Sequence, residues 1–114
     1  MTATIYHNPR CSTSRRTLDR LRAAGVEPEI VKYLDTPPDA EQLRRLITAA
    51  GLSVHDAVRT KEPEYRELGL SPDIPDEELL AAMVAHPRLI QRPFVVTDKG
   101  VRMARPIEAV DEIL

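Results

Sequence analysis

The sequence predicts an α/β fold in which a βαβ unit, a helical segment and a C-terminal β-hairpin follow one another. Three observations support this prediction: β-type and helical runs alternate near the amino terminus, residues 37–86 show apolar residues at helical spacing, and two β-type runs flank a glycine-containing turn near the end. The chain has 114 residues, with 42% hydrophobic and 30% charged, which suits a single domain with its own core.

The βαβ unit is predicted in the first third of the chain. Ala3–Tyr6 is a short β-type run, and Thr17–Ala24 reads as a helix because Leu18 and Leu21 are three residues apart. Glu29–Leu34 is the second strand candidate. Since a helix separates the two strands, we expect them to be parallel.

Residues 37–86 are predicted to form a helical insertion without strands. Asp39 is a candidate N-cap, and Gln42 completes a variant of the capping box. A further helix is predicted to begin at the acidic turn Asp76–Glu78 and to end before His86-Pro87.

The end of the chain returns to β structure. Phe94–Thr97 and Val101–Ala104 flank Asp98–Gly100, which predicts a hairpin with a three-residue loop and glycine in its left-handed position. Pro106 can begin a last helix that runs to Leu114. A βαβ unit, a helical insertion, a hairpin and a helix together make a thioredoxin-like outline.

Composition excludes several classes of function. The net charge of −2 gives no general attraction to nucleic acid or to an anionic membrane. No apolar run approaches the roughly 20 residues that span a bilayer, and we expect no leader because the first residues lack a basic stretch followed by an apolar one. The single cysteine rules out an internal disulfide, and we expect neither a metal site nor a bound cofactor. A free thiol stays reduced in the cytoplasm, which is the expected location.

The candidate nucleophile is Cys11, which lies between the first strand and the first turn of the following helix. Unpaired backbone N–H groups and the helix dipole at that place stabilise a thiolate and can hold an oxyanion. The hydroxyl residues Ser12–Ser14 permit close approach, and His7 can donate to the thiolate or orient the loop. Nearby cationic charge is supplied by Arg10, Arg15 and Arg16. The alternative is that Cys11 is simply a small buried hydrophobic residue.

The segment Ile5–Arg15 closely resembles the signature of the glutaredoxin-dependent arsenate reductases of the ArsC type. Further segments match in the same order along the chain, and they are Tyr33–Pro38, Glu67–Leu70, His86-Pro87, Arg92–Val96 and Arg105-Pro106. The resemblance covers nearly the whole chain and is greatest to the short members of the family.

The resemblance implies both a fold and a set of site residues. The fold is thioredoxin-like, with Arg92-Pro93 as a cis peptide that faces the nucleophile loop. The catalytic cysteine falls on Cys11, and the flanking histidine and serine fall on His7 and Ser14. The three arginines that bind the substrate anion fall on Arg59, Arg92 and Arg105. A guanidinium suits this task because it stays charged and grips two oxygens of a tetrahedral dianion.

The resemblance also implies a mechanism, in which the Cys11 thiolate attacks arsenate and forms a thioarsenate ester. A chain with one cysteine cannot resolve this intermediate internally, so an external thiol must act. The family uses glutathione as co-substrate and glutaredoxin as protein partner, and it releases arsenite.

Three other functions remain open at this point. Spx-type regulators share the fold, but they typically carry a Cys-x-x-Cys pair, and here Ser14 takes the second position. A monothiol oxidoreductase acting on glutathione mixed disulfides is a second reading, although the three arginines favour a tetrahedral anion. A family member without arsenate activity that serves as a binding module is the third.

Overall fold

The computed structural model describes residues 2–114, which form two compact units. One unit contains the segment up to Thr36 together with Arg92–Leu114, and the other contains Pro37–Gln91. That the second unit is an insertion into a single domain stays a proposal. Within residues 2–114, no helix has both the length and the apolar character needed to cross a bilayer.

The first unit is built on a four-stranded sheet with the strand order β2-β1-β3-β4. The strands are β1 (Ala3–Tyr6), β2 (Glu29–Val31), β3 (Phe94–Thr97) and β4 (Gly100–Met103). Strand β1 pairs parallel with β2 and antiparallel with β3, and β3 pairs antiparallel with β4. The βαβ unit followed by a hairpin confirms the α/β, thioredoxin-like arrangement that the sequence predicted.

Helix α1 (Ser12–Ala23) connects β1 to β2 and begins earlier than the predicted Thr17. The prediction rested on apolar spacing, whereas the first turns of the helix are polar on the outside and bury only Ser14 and Thr17. Its apolar face joins the core of the unit, whose buried members are Ile5, Leu18, Leu21, Val95, Ala104, Val110 and Ile113. Helix α1 is therefore anchored to the sheet behind the loop that carries Cys11.

Strand β2 is shorter than predicted, because the chain turns after Val31. The N–H groups of Asp35 and Thr36 both donate to the carbonyl of Lys32, at 3.0 Å each. This turn takes residues 32–34 out of the sheet.

The hairpin loop differs from the prediction by one residue. Thr97 pairs with Gly100, so the loop contains only Asp98 and Lys99, and Gly100 is the first residue of β4 with φ at 147°. The Thr97 hydroxyl oxygen accepts the Lys99 N–H at 3.1 Å and donates to the Ile113 carbonyl at 2.6 Å. These side-chain bonds close the tighter loop, and the apolar pattern gave no sign of them.

The last helix is present as a 3₁₀ helix over Ile107–Ile113. Its two buried residues, Val110 and Ile113, are three residues apart and therefore lie above one another at three residues per turn.

The second unit is helical, as the sequence predicted, and contains α2 (Ala40–Ala49), α3 (Pro63–Glu67) and α4 (Asp76–Ala85). The capping box of α2 is confirmed: the Asp39 carboxylate accepts the Gln42 N–H at 2.8 Å, and the Gln42 side chain accepts the Asp39 N–H at 3.2 Å. Two 3₁₀ turns, His55–Ala57 and Pro87–Leu89, complete the unit. In the described part of this unit, β pairing is limited to one bridge, Val58 with Ile90.

Candidate active site

Cys11 stands at the N-cap position of α1, where the chain leaves the loop that follows β1. Its backbone is extended, with φ −92° and ψ 122°, and its N–H donates to the Asn8 carbonyl at 3.0 Å. The Asn8 side chain in turn accepts the Arg10 N–H at 3.0 Å, and the Cys11 carbonyl accepts the Arg15 N–H. The loop thus directs the thiol to the first turn of the helix, where it is only 8% exposed.

The surroundings of Cys11 favour its thiolate. Burial raises the pKa of the thiol, but the backbone N–H groups of Ser14 and Thr13 and the guanidinium of Arg92 outweigh this effect. The net result is that the pKa of Cys11 lies below its ordinary value. Both the helix N-terminus, as expected, and Arg92, which is distant in the sequence, therefore lower the pKa of Cys11.

His7 and Ser14 form a buried pair beside Cys11. The Nδ1 atom of His7 lies 2.6 Å from the Ser14 hydroxyl, and the same hydroxyl accepts the Asn8 N–H at 3.1 Å. Burial lowers the pKa of His7, and the charges of Lys32, Arg15 and Arg22 lower it further. A neutral imidazole with its proton on Nε2 satisfies this arrangement, because the hydroxyl then donates to Nδ1 while it accepts from Asn8.

Replacing Ser14 with alanine is expected to destabilise the protein by about 1–3 kcal/mol, because the Asn8 N–H and His7 both lose their partner inside the fold. Chemical denaturation measures the change in the free energy of unfolding. Ser12→Ala is the matched control, since Ser12 is exposed on the same helix and should change stability by no more than about 0.5 kcal/mol. Equal effects of the two substitutions would show that the Ser14 bonds do not hold the loop.

Arg92 and Arg105 lie in the same unit as Cys11 and are joined to each other. The Nε atom of Arg105 donates to the Arg92 carbonyl at 3.0 Å. The Arg92-Pro93 peptide is cis, as the resemblance implied, and Arg105-Pro106 is also cis, which the sequence did not indicate. The Nε–H of Arg92 is buried without a hydrogen-bond partner among the described residues, so this guanidinium retains an unused donor close to the thiol.

Arg59 belongs to the other unit and has an acidic neighbour. Its N–H donates to the Leu89 carbonyl at 2.7 Å, next to the bridge between Val58 and Ile90. Its guanidinium forms an ion pair with Glu62, whose carboxylate also binds Arg88 at 3.1 Å. The structure thus places five of the six predicted site residues in one unit and Arg59 in the other.

Two contributors were missed in the sequence. Asn8 organises the loop through its carbonyl and its side chain, and its position before Pro9 marked only a turn. Glu62 was not considered as a partner of Arg59, although their spacing of three residues allows such a pair. Among residues 2–114, no group of three or more His, Cys, Asp or Glu side chains is arranged to hold a metal ion. The site therefore offers a thiolate, a histidine–serine pair and arginines.

Comparison with known proteins gives a consistent result. The model of the ArsC family matches residues 6–113. An arsenate reductase of Rhizobium meliloti (strain 1021) is 55% identical over 115 residues, which cover 100% of this chain and 82% of the relative. The uncharacterized protein YfgD of Escherichia coli (strain K12) is 49% identical, with 96% of this chain and 94% of the relative covered. A solved structure titled arsenate reductase from Vibrio cholerae superposes with a TM-score of 0.95 at 47% identity, covering 100% and 98% of the two chains.

Proposed function

Since the chain belongs to the ArsC family, we propose that it is an arsenate reductase in which Cys11 is the nucleophile. The observation that carries the proposal is the position of the Cys11 thiol at the N-cap of α1 and against Arg92, which together hold its pKa below the ordinary value. The relatives titled arsenate reductases support it, because their identity of 47–55% extends over the whole of this chain.

In the first step, the Cys11 thiolate attacks the arsenic atom of arsenate and forms a sulfur–arsenic bond. One arsenate oxygen leaves as hydroxide, takes a proton and departs as water. Two anions must approach each other in this step, so cationic donors to the arsenate oxygens lower the barrier. We assign this task to Arg92, Arg105 and Arg59, of which Arg92 already lies against the Cys11 thiol.

His7 and Ser14 are assigned to the nucleophile loop. Their bond joins the end of β1 to the first turn of α1, which flank Cys11 on either side. The lowered pKa of His7 keeps the imidazole neutral near pH 7. His7 therefore acts as a hydrogen-bonding group and adds no positive charge to the loop.

The second step needs an external reductant, because Cys11 is the only cysteine of the chain. A thiolate attacks the Cys11 sulfur, the sulfur–arsenic bond breaks, and its electron pair leaves with arsenic as arsenite. The resulting mixed disulfide is cleaved by a second thiol, which restores Cys11 and yields an external disulfide. Two external thiols therefore supply the two electrons of the reduction.

We assign these thiols to glutathione and glutaredoxin, which is the reductant system that family membership suggests. A cytoplasmic location suits this chemistry, since both thiols and Cys11 remain reduced there.

A coupled assay tests the proposal. NADPH oxidation by glutathione reductase, with glutathione and glutaredoxin present, is expected to depend on both arsenate and this protein. The Rhizobium meliloti relative is the positive control for the coupling system. No arsenate-dependent oxidation under conditions that support the relative would reject the proposal. Turnover of a glutathione mixed disulfide in its place would favour the monothiol oxidoreductase reading.

A further inference from the structure

A groove of about 410 Å³ runs beside the first turns of α1, in the same unit as Cys11. Most of its lining comes from residues three or four positions apart on one face of the helix, and these are Ser12, Arg15, Arg16, Asp19 and Arg22. His7, Pro9 and Leu18 complete the lining. The groove therefore begins at Ser12, the residue directly after the nucleophile, and continues along the helix. We call it the α1 groove.

The cations of the α1 groove differ in how much binding capacity they retain. Arg22 is occupied, because its guanidinium holds both carboxylate oxygens of Glu27 at 2.9–3.2 Å. Arg15 uses one nitrogen to donate to the Pro9 carbonyl at 2.8 Å. Arg16 is exposed and makes no side-chain hydrogen bond or ion pair within residues 2–114. The groove thus offers two guanidinium groups with open donors, next to the single carboxylate of Asp19.

We propose that the α1 groove binds the external thiol as a small peptide that carries two carboxylates and one ammonium group, and this inference rests on the proposed function. Arg16 takes the carboxylate of the carboxyl-terminal residue and Arg15 takes the carboxylate beside the ammonium group, since a guanidinium forms paired, charge-assisted hydrogen bonds with a carboxylate. Asp19 takes the ammonium group.

The dimensions of the groove suit such a ligand. The rise from Ser12 to Asp19 along the helix is roughly 10 Å, and an extended tripeptide has about the same length. An extended tripeptide thiol with its charged groups on this helix face lies along the groove, and it approaches Cys11 from the Ser12 end, which adjoins the nucleophile in the chain. Its attack forms the sulfur–sulfur bond while the sulfur–arsenic bond breaks and arsenic retains the electron pair.

A second groove, of about 320 Å³, is formed by the nucleophile loop and the turn that follows β2, and it is the rival site. It is lined by His7, Asn8, Pro9, Arg10, Lys32, Leu34 and Asp35. It has one arginine where the α1 groove has two with open donors, and a lysine is a point charge that lacks the paired geometry for a carboxylate.

The test uses glutathione and its glycine monoethyl ester as thiols, in the coupled arsenate assay at saturating glutaredoxin. Arg16→Gln is expected to raise the KM for glutathione about tenfold, which is the size expected for one lost charge-assisted bond. It should change the KM for the monoethyl ester much less, and the KM for arsenate should stay the same. Arg66→Gln is the control, because Arg66 is exposed on α3 in the other unit.

Three outcomes overturn the proposal: an unchanged KM for glutathione in Arg16→Gln, an equal rise for both thiols, or a selective rise in Arg10→Gln in its place. The last of these would assign the thiol to the second groove. Failure of the proposed function is separate, because wild-type protein would then show no arsenate-dependent turnover with either thiol.

Discussion

Replacing Cys11 with serine is expected to lower kcat for arsenate reduction by at least about 10³-fold, because no other residue can form the sulfur–arsenic bond. A serine hydroxyl is not ionised near neutral pH and cannot donate the electrons that leave with arsenic. The coupled assay with glutathione and glutaredoxin measures the loss.

The serine variant also provides its own folding control. Serine has nearly the same shape as cysteine and is a favoured N-cap residue, so the thermal unfolding midpoint should not fall. A folded variant that reduces arsenate within tenfold of the wild-type rate would contradict the role assigned to Cys11. If the serine variant were inactive because it is unfolded, its unfolding midpoint would be lowered. The activity of a folded Cys11→Ala variant would then decide the role of Cys11.

Replacing Arg92 with glutamine is expected to lower kcat/KM for arsenate by about 10²-fold or more, which is the usual effect of losing one donor to a developing oxyanion. The same change removes a hydrogen bond and a positive charge from the Cys11 thiol, so the pKa of Cys11 must rise. Because the thiolate is the reactive form, the acid limb of the pH profile of kcat/KM should move to higher pH.

Arg102→Gln is the matched control for Arg92→Gln. Arg102 lies on β4 in the same unit, and its guanidinium pairs with Glu112 at 3.4 Å rather than with the thiol. It should leave both kcat/KM and the pH profile unchanged. A profile for Arg92→Gln with its acid limb at the wild-type position would show that Arg92 does not lower the pKa of Cys11.

The parts of the fold that depend on local patterns could be predicted from the sequence. Strands β1 and β3 have the predicted bounds, and the capping box of α2 follows directly from the positions of Asp39 and Gln42. The start of α1 was missed because Ser14 and Thr17 are buried although they are polar. Their hydroxyl groups bond locally, to the Asn8 N–H and to the Thr13 carbonyl, and an apolar pattern cannot reveal such bonds.

The candidate site was predictable to the same extent. The place of Cys11 before a helix, and hence an activated thiol, follows from nearby residues. The contact with Arg92 does not follow from nearby residues, because the two residues are far apart in the sequence. Nothing local distinguishes Arg92 from the other arginines of the chain. Only the family resemblance selected Arg92, and the structure adds the effect on the thiol. The pairing of Arg59 with Glu62 was available from their spacing, but a spacing does not tell which of several neighbours is bound.

The central claim is that Cys11 is an activated thiol, and a titration of its thiolate absorbance tests this claim most directly. Cys11 is the only cysteine, so the Cys11→Ser protein supplies the blank and the signal needs no assignment. We expect a pKa below the value that an unperturbed cysteine in a model peptide shows under the same conditions. A pKa at or above that value would mean that burial outweighs Ser14, Thr13 and Arg92, and it would contradict the mechanism.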